Sequence, residues 1–266
     1  MRIQLKLKVA KEFSYDREYH SKFQGFIYKQ LIDTPYRFLH EKKGCKFFCF
    51  SNIFPLRIGK NKKIETFKEG QTKFWLISSP DSGFIYVLRE RLEKIKDENK
   101  LINLGEMQFY LEEPKLVDLR MGRKNLTIKT ETPIVLRIGR KTYRRYGVKP
   151  SKDYEYLFWR PKWPFELFIE PLTNNLLNKY RDFYQLKEKE FNELKNKVLP
   201  LFQRLEFKDT LVNHVVINGK EQRFFGSLWK FHFDWLNNEQ KKLLGFALDC
   251  GFGEKNSYGF GFVNIR

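Results

Sequence analysis

The chain has 266 residues, 41% of them hydrophobic and 27 of them phenylalanine, enough for one large domain or two of ordinary size with a substantial core. No apolar run is long enough for a transmembrane helix, and Met1 to Ala10 lack an apolar h-region, so neither a membrane partner nor a signal peptide is expected. Fifty-one Lys and Arg against 32 Asp and Glu leave a formal net charge of +19, a one-sided excess that points to a polyanionic partner, nucleic acid first. The three cysteines, Cys45, Cys49 and Cys250, show no metal-ligand spacing and read as reduced thiols in a cytoplasmic setting.

Ile3, Leu5, Leu7 and Val9 alternate with Arg2, Gln4, Lys6 and Lys8, which predicts a strand with one apolar and one basic face. A helix follows from about Tyr19 to Leu31, its stripe made by Phe23, Phe26, Ile27 and Leu31, and Asp33-Thr34-Pro35 ends or kinks it. The aromatic stretches Phe47 to Phe50 and Lys73 to Ser78 predict strands. Phe84, Val87, Leu88, Leu92 and Ile95 give a second helix over Ser82 to Lys96, and Met107 to Val117 a further strand. Strand, helix, strand, strand, helix, strand is the ferredoxin-like βαββαβ order.

The pattern then starts again. Leu126 to Ile138 predicts a strand, turned at Gly139-Arg140 into Lys141 to Tyr146 as a hairpin. Leu172, Leu176, Leu177, Tyr180, Phe183 and Tyr184 mark a long helix, with Lys187-Glu188-Lys189-Glu190 as its solvated continuation. Phe202 to Phe207, Leu211 to Ile217 and Gln222 to Phe233 read as strands, and Asn237 to Cys250 as a last helix. The expected architecture is α+β, a tandem of ferredoxin-like (RRM-like) domains at residues 1–122 and 123–266. The Trp159–Pro164 insert fits neither copy.

The last sixteen residues hold four glycines in two Gly-Phe-Gly clamps around Glu254-Lys255-Asn256-Ser257. Glycines let backbone approach a ligand and can point successive N–H groups at a phosphate. A glycine-rich turn with no ligand explains the same spacing. No Gly-Lys-Ser/Thr follows, so this is not a Walker A loop, and Asn256 replaces the third glycine of a dinucleotide fingerprint.

This terminal loop, Gln24-Gly25-Phe26-Ile27-Tyr28, the run Phe38-Leu39-His40-Glu41-Lys42-Lys43-Gly44-Cys45-Lys46-Phe47-Phe48 and Thr132-Pro133-Ile134-Val135 resemble a known family. It is that of the CRISPR-associated endoribonucleases that cut precursor repeat RNA, the sixth Cas family within the RAMP superfamily. The resemblance covers the whole chain and implies the tandem fold. It also implies one metal-free cut per CRISPR repeat, by 2′-hydroxyl attack on the adjacent phosphate, leaving a 2′,3′-cyclic phosphate and a 5′-hydroxyl, with no cofactor. The partner would be repeat RNA, with other interference-complex subunits as a further class; monomer and homodimer both stay open. The alternative is a RAMP-type subunit that holds the RNA without cutting it.

Such chemistry needs a proton acceptor, a proton donor and a stabiliser of the phosphorane. The resemblance puts His40 in the role of general acid or base, Lys46 in that of phosphorane stabiliser, and Tyr28 in that of positioning or second proton-transfer group. His20, at the start of the same helix as Tyr28, is the main competitor, ahead of His214 and His232. RNA contact is expected from Arg137, Arg140, Lys141, Arg144 and Arg145, the densest arginine patch in the chain. It is also expected from Gly251, Gly253, Lys255, Asn256, Ser257, Gly259 and Gly261 of the terminal loop.

Overall fold

The computed structural model describes every residue except Arg17, residues 57–65 and Asn218. The first half runs β1 (Arg2–Val9), β2 (Phe13–Ser14), α1 (Tyr19–Gln30), β3 (Cys49–Phe50), β4 (Thr66–Phe67), β5 (Thr72–Ser78), α2 (Ser82–Asp97), β6 (Leu101–Leu104) and β7 (Met107–Val117). The second runs β8 (Lys124–Thr130), β9 (Ile134–Val135), β10 (Arg137–Gly139), α3 (Arg140–Arg145), β11 (Tyr156–Phe158), α4 (Glu166–Tyr184), α5 (Glu188–Val198), β12 (Arg204–Ile217), β13 (Lys220–Trp235), α6 (Asn238–Cys250) and β14 (Val263–Ile265). Two compact units result. One comprises Met1–Leu119, His214–Gln222 and Ser257–Gly259; the other Arg120–Asn213, Arg223–Asn256 and Phe260–Arg266.

Strand order gives the fold. The first sheet reads β3-β5-β1-β7-β6, so the four strands around α1 and α2 stand second, third, first, fourth in chain order. The second reads β12-β13-β8-β14, with β9 also on β13, and its strands around α4 and α6 repeat that permutation. This is the ferredoxin-like topology twice, antiparallel throughout the pairings of β1 with β5 and β7 and of β8 with β13 and β14. β6 is an addition, a hairpin partner to β7.

The period-two pattern of β1 does as expected: Ile3, Leu5, Leu7 and Val9 are buried. They pack with Phe23 and Ile27 of α1, Ile85, Leu88 and Leu92 of α2, and Trp75 of β5. Asp81 caps α2, its carboxylate accepting from the Phe84 N–H at 3.2 Å. In the second unit Trp229 is fully buried, stacked on Phe168 at 4.4 Å and tilted against Trp159 at 5.0 Å. The unplaced insert therefore contributes a core residue.

Four local expectations fail. Leu126 to Ile138 is not one strand but three: β8 and β9 lie on β13 and β10 on β11, with Pro133 interrupting the run. Lys141 to Tyr146 is no strand: Arg140–Arg145 is the short helix α3, and β10 pairs instead with β11. Successive charged residues cannot share one buried strand face, and only Tyr143 of this helix is buried, its hydroxyl donating to the Tyr154 carbonyl at 2.6 Å. Lys187 to Glu190 does not continue α4. Gln185 turns left-handed (φ 53°) and ends it, and the Glu190 carboxylate accepts from the Lys187 N–H at 2.8 Å to open α5. Residues 204–217 form one strand where two are predicted.

Candidate active site

All three candidate catalytic side chains lie in the first unit, and its local chemistry explains how they meet. After α1 the chain descends through overlapping turns. The N–H groups of Thr34, Arg37, Leu39 and Glu41 donate to the carbonyls of Leu31, Thr34, Tyr36 and Phe38. Two contacts tie this ladder down. The Tyr36 hydroxyl donates to Asp81 Oδ2 at 3.0 Å, the same carboxylate that caps α2, and Arg91 Nη2 donates to the Asp33 carbonyl at 2.7 Å. His40 sits at the ladder's end, exposed.

The His40 ring is held by its own turn. Nδ1 lies 3.0 Å from the Arg37 carbonyl, which only accepts, so Nδ1 carries the proton and Nε2 is the atom left to exchange one. Glu41 Oε1 stands 3.3 Å from Nε2. Lys46 reaches back across the ladder and donates to the Leu39 and His40 carbonyls at 2.7 and 2.6 Å. An ammonium has three donors, so one remains for a ligand. Burial, and secondarily the neighbouring Lys42, lower the Lys46 pKa.

Tyr28, on α1, completes the group. Its ring centre is 6.0 Å from that of His40, and Lys46 Nζ lies 5.5 Å above it. Burial raises the phenol well above its ordinary value; Ser257 partly opposes the rise and Tyr258 adds to it. Ser257 is close enough to hydrogen-bond the phenol loosely, yet the buried Tyr28 hydroxyl has no hydrogen bond of good geometry among the described residues. Tyr28 thus stays a protonated phenol at neutral pH, a donor and not a base.

His20 is not part of this group. It is fully buried, stacked on Tyr19 at 4.1 Å, and its Nδ1 donates to the Tyr258 carbonyl at 2.6 Å. Gln24 Nε2 donates to the Ser257 carbonyl and hydroxyl at 2.9 and 3.1 Å. His20, Gln24 and Tyr28 are four residues apart on α1, so one helix face receives Ser257–Gly259. Gly259 (φ +80°) lies flat on Phe50, and a Cβ there would fall 2.3 Å from the ring. Sequence reasoning missed this seat, although the four-residue spacing of polar side chains on an otherwise apolar helix was its signal. His214 is partly exposed and bonded to Glu221, and His232 meets Thr127 Oγ1 at 3.1 Å.

The rest of the terminal loop belongs to the second unit and faces inward. The N–H groups of Gly251, Phe252, Glu254 and Gly261 are spent on the carbonyls of Ala247, Gly261, Val135 and Pro133. Where glycine spacing suggests a nest of N–H groups, the structure places acceptors instead. The Gly251 carbonyl (3.0 Å), the Asn256 Oδ1 (2.6 Å) and the Gly253 carbonyl all accept from buried Lys179 of α4. Asn256 Nδ2 in turn bridges the Phe252 and Phe260 carbonyls at 3.0 and 2.8 Å. Gly251, Gly253, Gly261 and Asn256 are buried, whereas Lys255 and Ser257 are partly exposed. Lys179 was missed too, though it falls seven residues after Leu172, on that helix's apolar stripe.

The arginine patch is exposed and largely ion-paired. Arg137 Nε meets Glu254 at 2.5 Å, Arg140 and Arg144 share Asp153 at 3.2 and 3.0 Å, and Arg145 pairs with Glu170. Exposed pairs of this kind contribute little to stability. Among the described residues no helix is long and apolar enough to cross a membrane.

Residues 111–265 match the family model described as CRISPR associated protein Cas6, C-terminal. The chain is 33% identical over 265 residues, 99% of each chain, to CRISPR-associated endoribonuclease Cas6 2 of Methanocaldococcus jannaschii. It is 26% identical over 268 residues to CRISPR-associated endoribonuclease Cas6 of Haloferax mediterranei, covering 100% of this chain and 93% of that one. Two solved structures share the fold over 100% of this chain and 99% of theirs. One is titled CRISPR associated protein Cas6 (24% identity, TM-score 0.68), the other an RAMP protein binding different RNA substrates (20%, 0.67).

Proposed function

The chain belongs to the Cas6 family of CRISPR-associated endoribonucleases, and from this we propose that it matures precursor CRISPR RNA, cutting once in each repeat without a metal ion. The observation that carries the reading is the cluster around His40. One imidazole has its Nδ1–H committed to the Arg37 carbonyl and its Nε2, 3.3 Å from Glu41 Oε1, left to exchange a proton, beside an ammonium with a donor to spare and a buried phenol. The ribose 2′-oxygen attacks phosphorus, the P–O5′ bond breaks, and the products are a 2′,3′-cyclic phosphate and a 5′-hydroxyl. His40 Nε2 takes the proton from the 2′-hydroxyl and returns it to the departing O5′, Lys46 faces the charge gathering on the phosphorane, and Tyr28 donates a hydrogen bond that orients the reacting group. Arg137, Arg140, Lys141, Arg144 and Arg145 hold phosphates along the flanking RNA, joined by Lys255 and Ser257 on a loop that Gly251, Gly253, Asn256, Gly259 and Gly261 shape.

The test is cleavage in EDTA of repeat RNA carrying a single 2′-deoxy substitution at each position in turn. One position should abolish the cut and all others leave it intact, with a cyclic phosphate on the upstream product. Cleavage that ignores every deoxy position overturns the mechanism, and tight binding without any cut marks an RNA-holding subunit instead. Tyr28→Phe should slow the single-turnover rate about tenfold, the worth of one hydrogen bond made in the transition state. Because burial keeps this phenol protonated, the pH–rate profile of the variant between pH 6 and 9 should keep the parent's shape. A limb lost with Tyr28→Phe would make Tyr28 a proton carrier.

A further inference from the structure

Phe38 stands in the open two residues before His40, with 58% of its surface exposed. An isolated exposed apolar side chain is ordinary, but this one is not isolated from charge. The Arg37 guanidinium lies over its ring, 4.5 Å from the centre. The same Arg37 supplies the carbonyl that fixes the His40 tautomer, so ring, cation and histidine belong to one turn. Around them, Lys42 Nζ sits 4.7 Å over the Phe47 ring, and Lys42 and Lys43 are exposed.

An aromatic face in solvent, backed by a guanidinium and surrounded by ammonium groups, is what a single-stranded nucleic acid needs: a π surface for a base and cations for its phosphates. A protein partner with an apolar surface would be poorly matched to so many cations. The turn ladder that carries the platform is tied to the rest of the unit through Tyr36 and Arg91, which lowers the cost of ordering it when RNA binds. We propose that Arg37 and Phe38 form a stacking platform for the nucleobase beside the scissile phosphate, setting where the RNA strand lies over His40. This rests on the assignment of His40 above. Phe38 is thereby a positioning residue and takes no part in proton transfer.

The experiment uses full-length protein and repeat RNA made uncleavable by a 2′-deoxy residue at the cut. Binding is measured for the parent, Phe38→Ala and Phe38→Trp, with 2-aminopurine or an abasic residue placed at each nucleotide in turn. Phe38→Ala should weaken binding about 5- to 100-fold, the range for one base–aromatic stack, and Phe38→Trp should restore it. The penalty should vanish only on RNA whose abasic site adjoins the cut, where 2-aminopurine fluorescence is also quenched by the parent and not by Phe38→Ala. Parent-like binding by Phe38→Ala, or a penalty that no abasic position removes, overturns the platform. A penalty erased by an abasic site remote from the cut overturns its placement. Because this RNA is never cut, the result stands apart from whether His40 moves a proton, which the deoxy scan and the His40 variant decide.

Discussion

His40→Ala lowers the single-turnover cleavage rate by about 10²- to 10⁴-fold, the range for losing a positioned general acid or base, and leaves repeat-RNA affinity within about threefold. The separation of the two effects is the informative part. The His40 side chain is 52% exposed and its Nδ1–H is bonded to the Arg37 carbonyl, which can turn to water when the ring is gone. Fold stability should therefore move by no more than about 0.5 kcal/mol, as for other surface substitutions. His20→Ala is the necessary contrast. That ring is fully buried and bonded to the Tyr258 carbonyl, so its removal leaves a void and frees the Ser257–Gly259 seat. It should lower the urea midpoint and reduce activity only in proportion. Rapid-quench rates set beside urea midpoints separate a lost proton carrier from a lost support. Cleavage that survives in His40→Ala would remove His40 from the mechanism.

The parts of this molecule that obey a period were legible before any coordinates. The alternation of Ile3, Leu5, Leu7 and Val9 and the helical stripes of α1, α2 and α6 follow from burial alone, and their repetition along the chain gave the tandem topology. Segments governed by one residue's backbone were not. The end of α4 depends on Gln185 adopting a left-handed conformation, which glutamine does not announce. The basic segment at Arg140–Arg145 carries too few apolar residues for any period to speak, and its helix depends on Tyr143 finding the distant Tyr154 carbonyl. Within the site, the identities of Tyr28, His40 and Lys46 were readable only through resemblance. What holds them, the turn ladder, Asp81, the Arg37 carbonyl and the Lys46 strap, consists mostly of backbone acceptors, which every sequence supplies and none advertises.

Lys179→Met should cost about 3 kcal/mol of folding stability, more than any exposed lysine in the chain. The argument is one of unmet acceptors. Lys179 is buried, and its ammonium serves the Gly251 and Gly253 carbonyls and Asn256 Oδ1 together. Methionine matches its length but donates nothing, and each buried acceptor left unmet costs about 1–3 kcal/mol. The three losses do not simply add, because the substitution also removes the cost of burying the ammonium. Water cannot easily repair the site, since the loop is packed too closely to swell. A Cβ on Gly253 (φ +70°) would lie 2.5 Å from the Val135 carbonyl, and one on Gly261 (φ +69°) 1.8 Å from that of Phe252. Equilibrium urea unfolding against Lys162→Met, an exposed control, is the measurement. A midpoint displaced far below the control's would make the buried ammonium the keystone of the terminal loop, so that the glycines serve a cation of the protein itself; matching midpoints would show that the loop's shape needs only its glycines and Asn256.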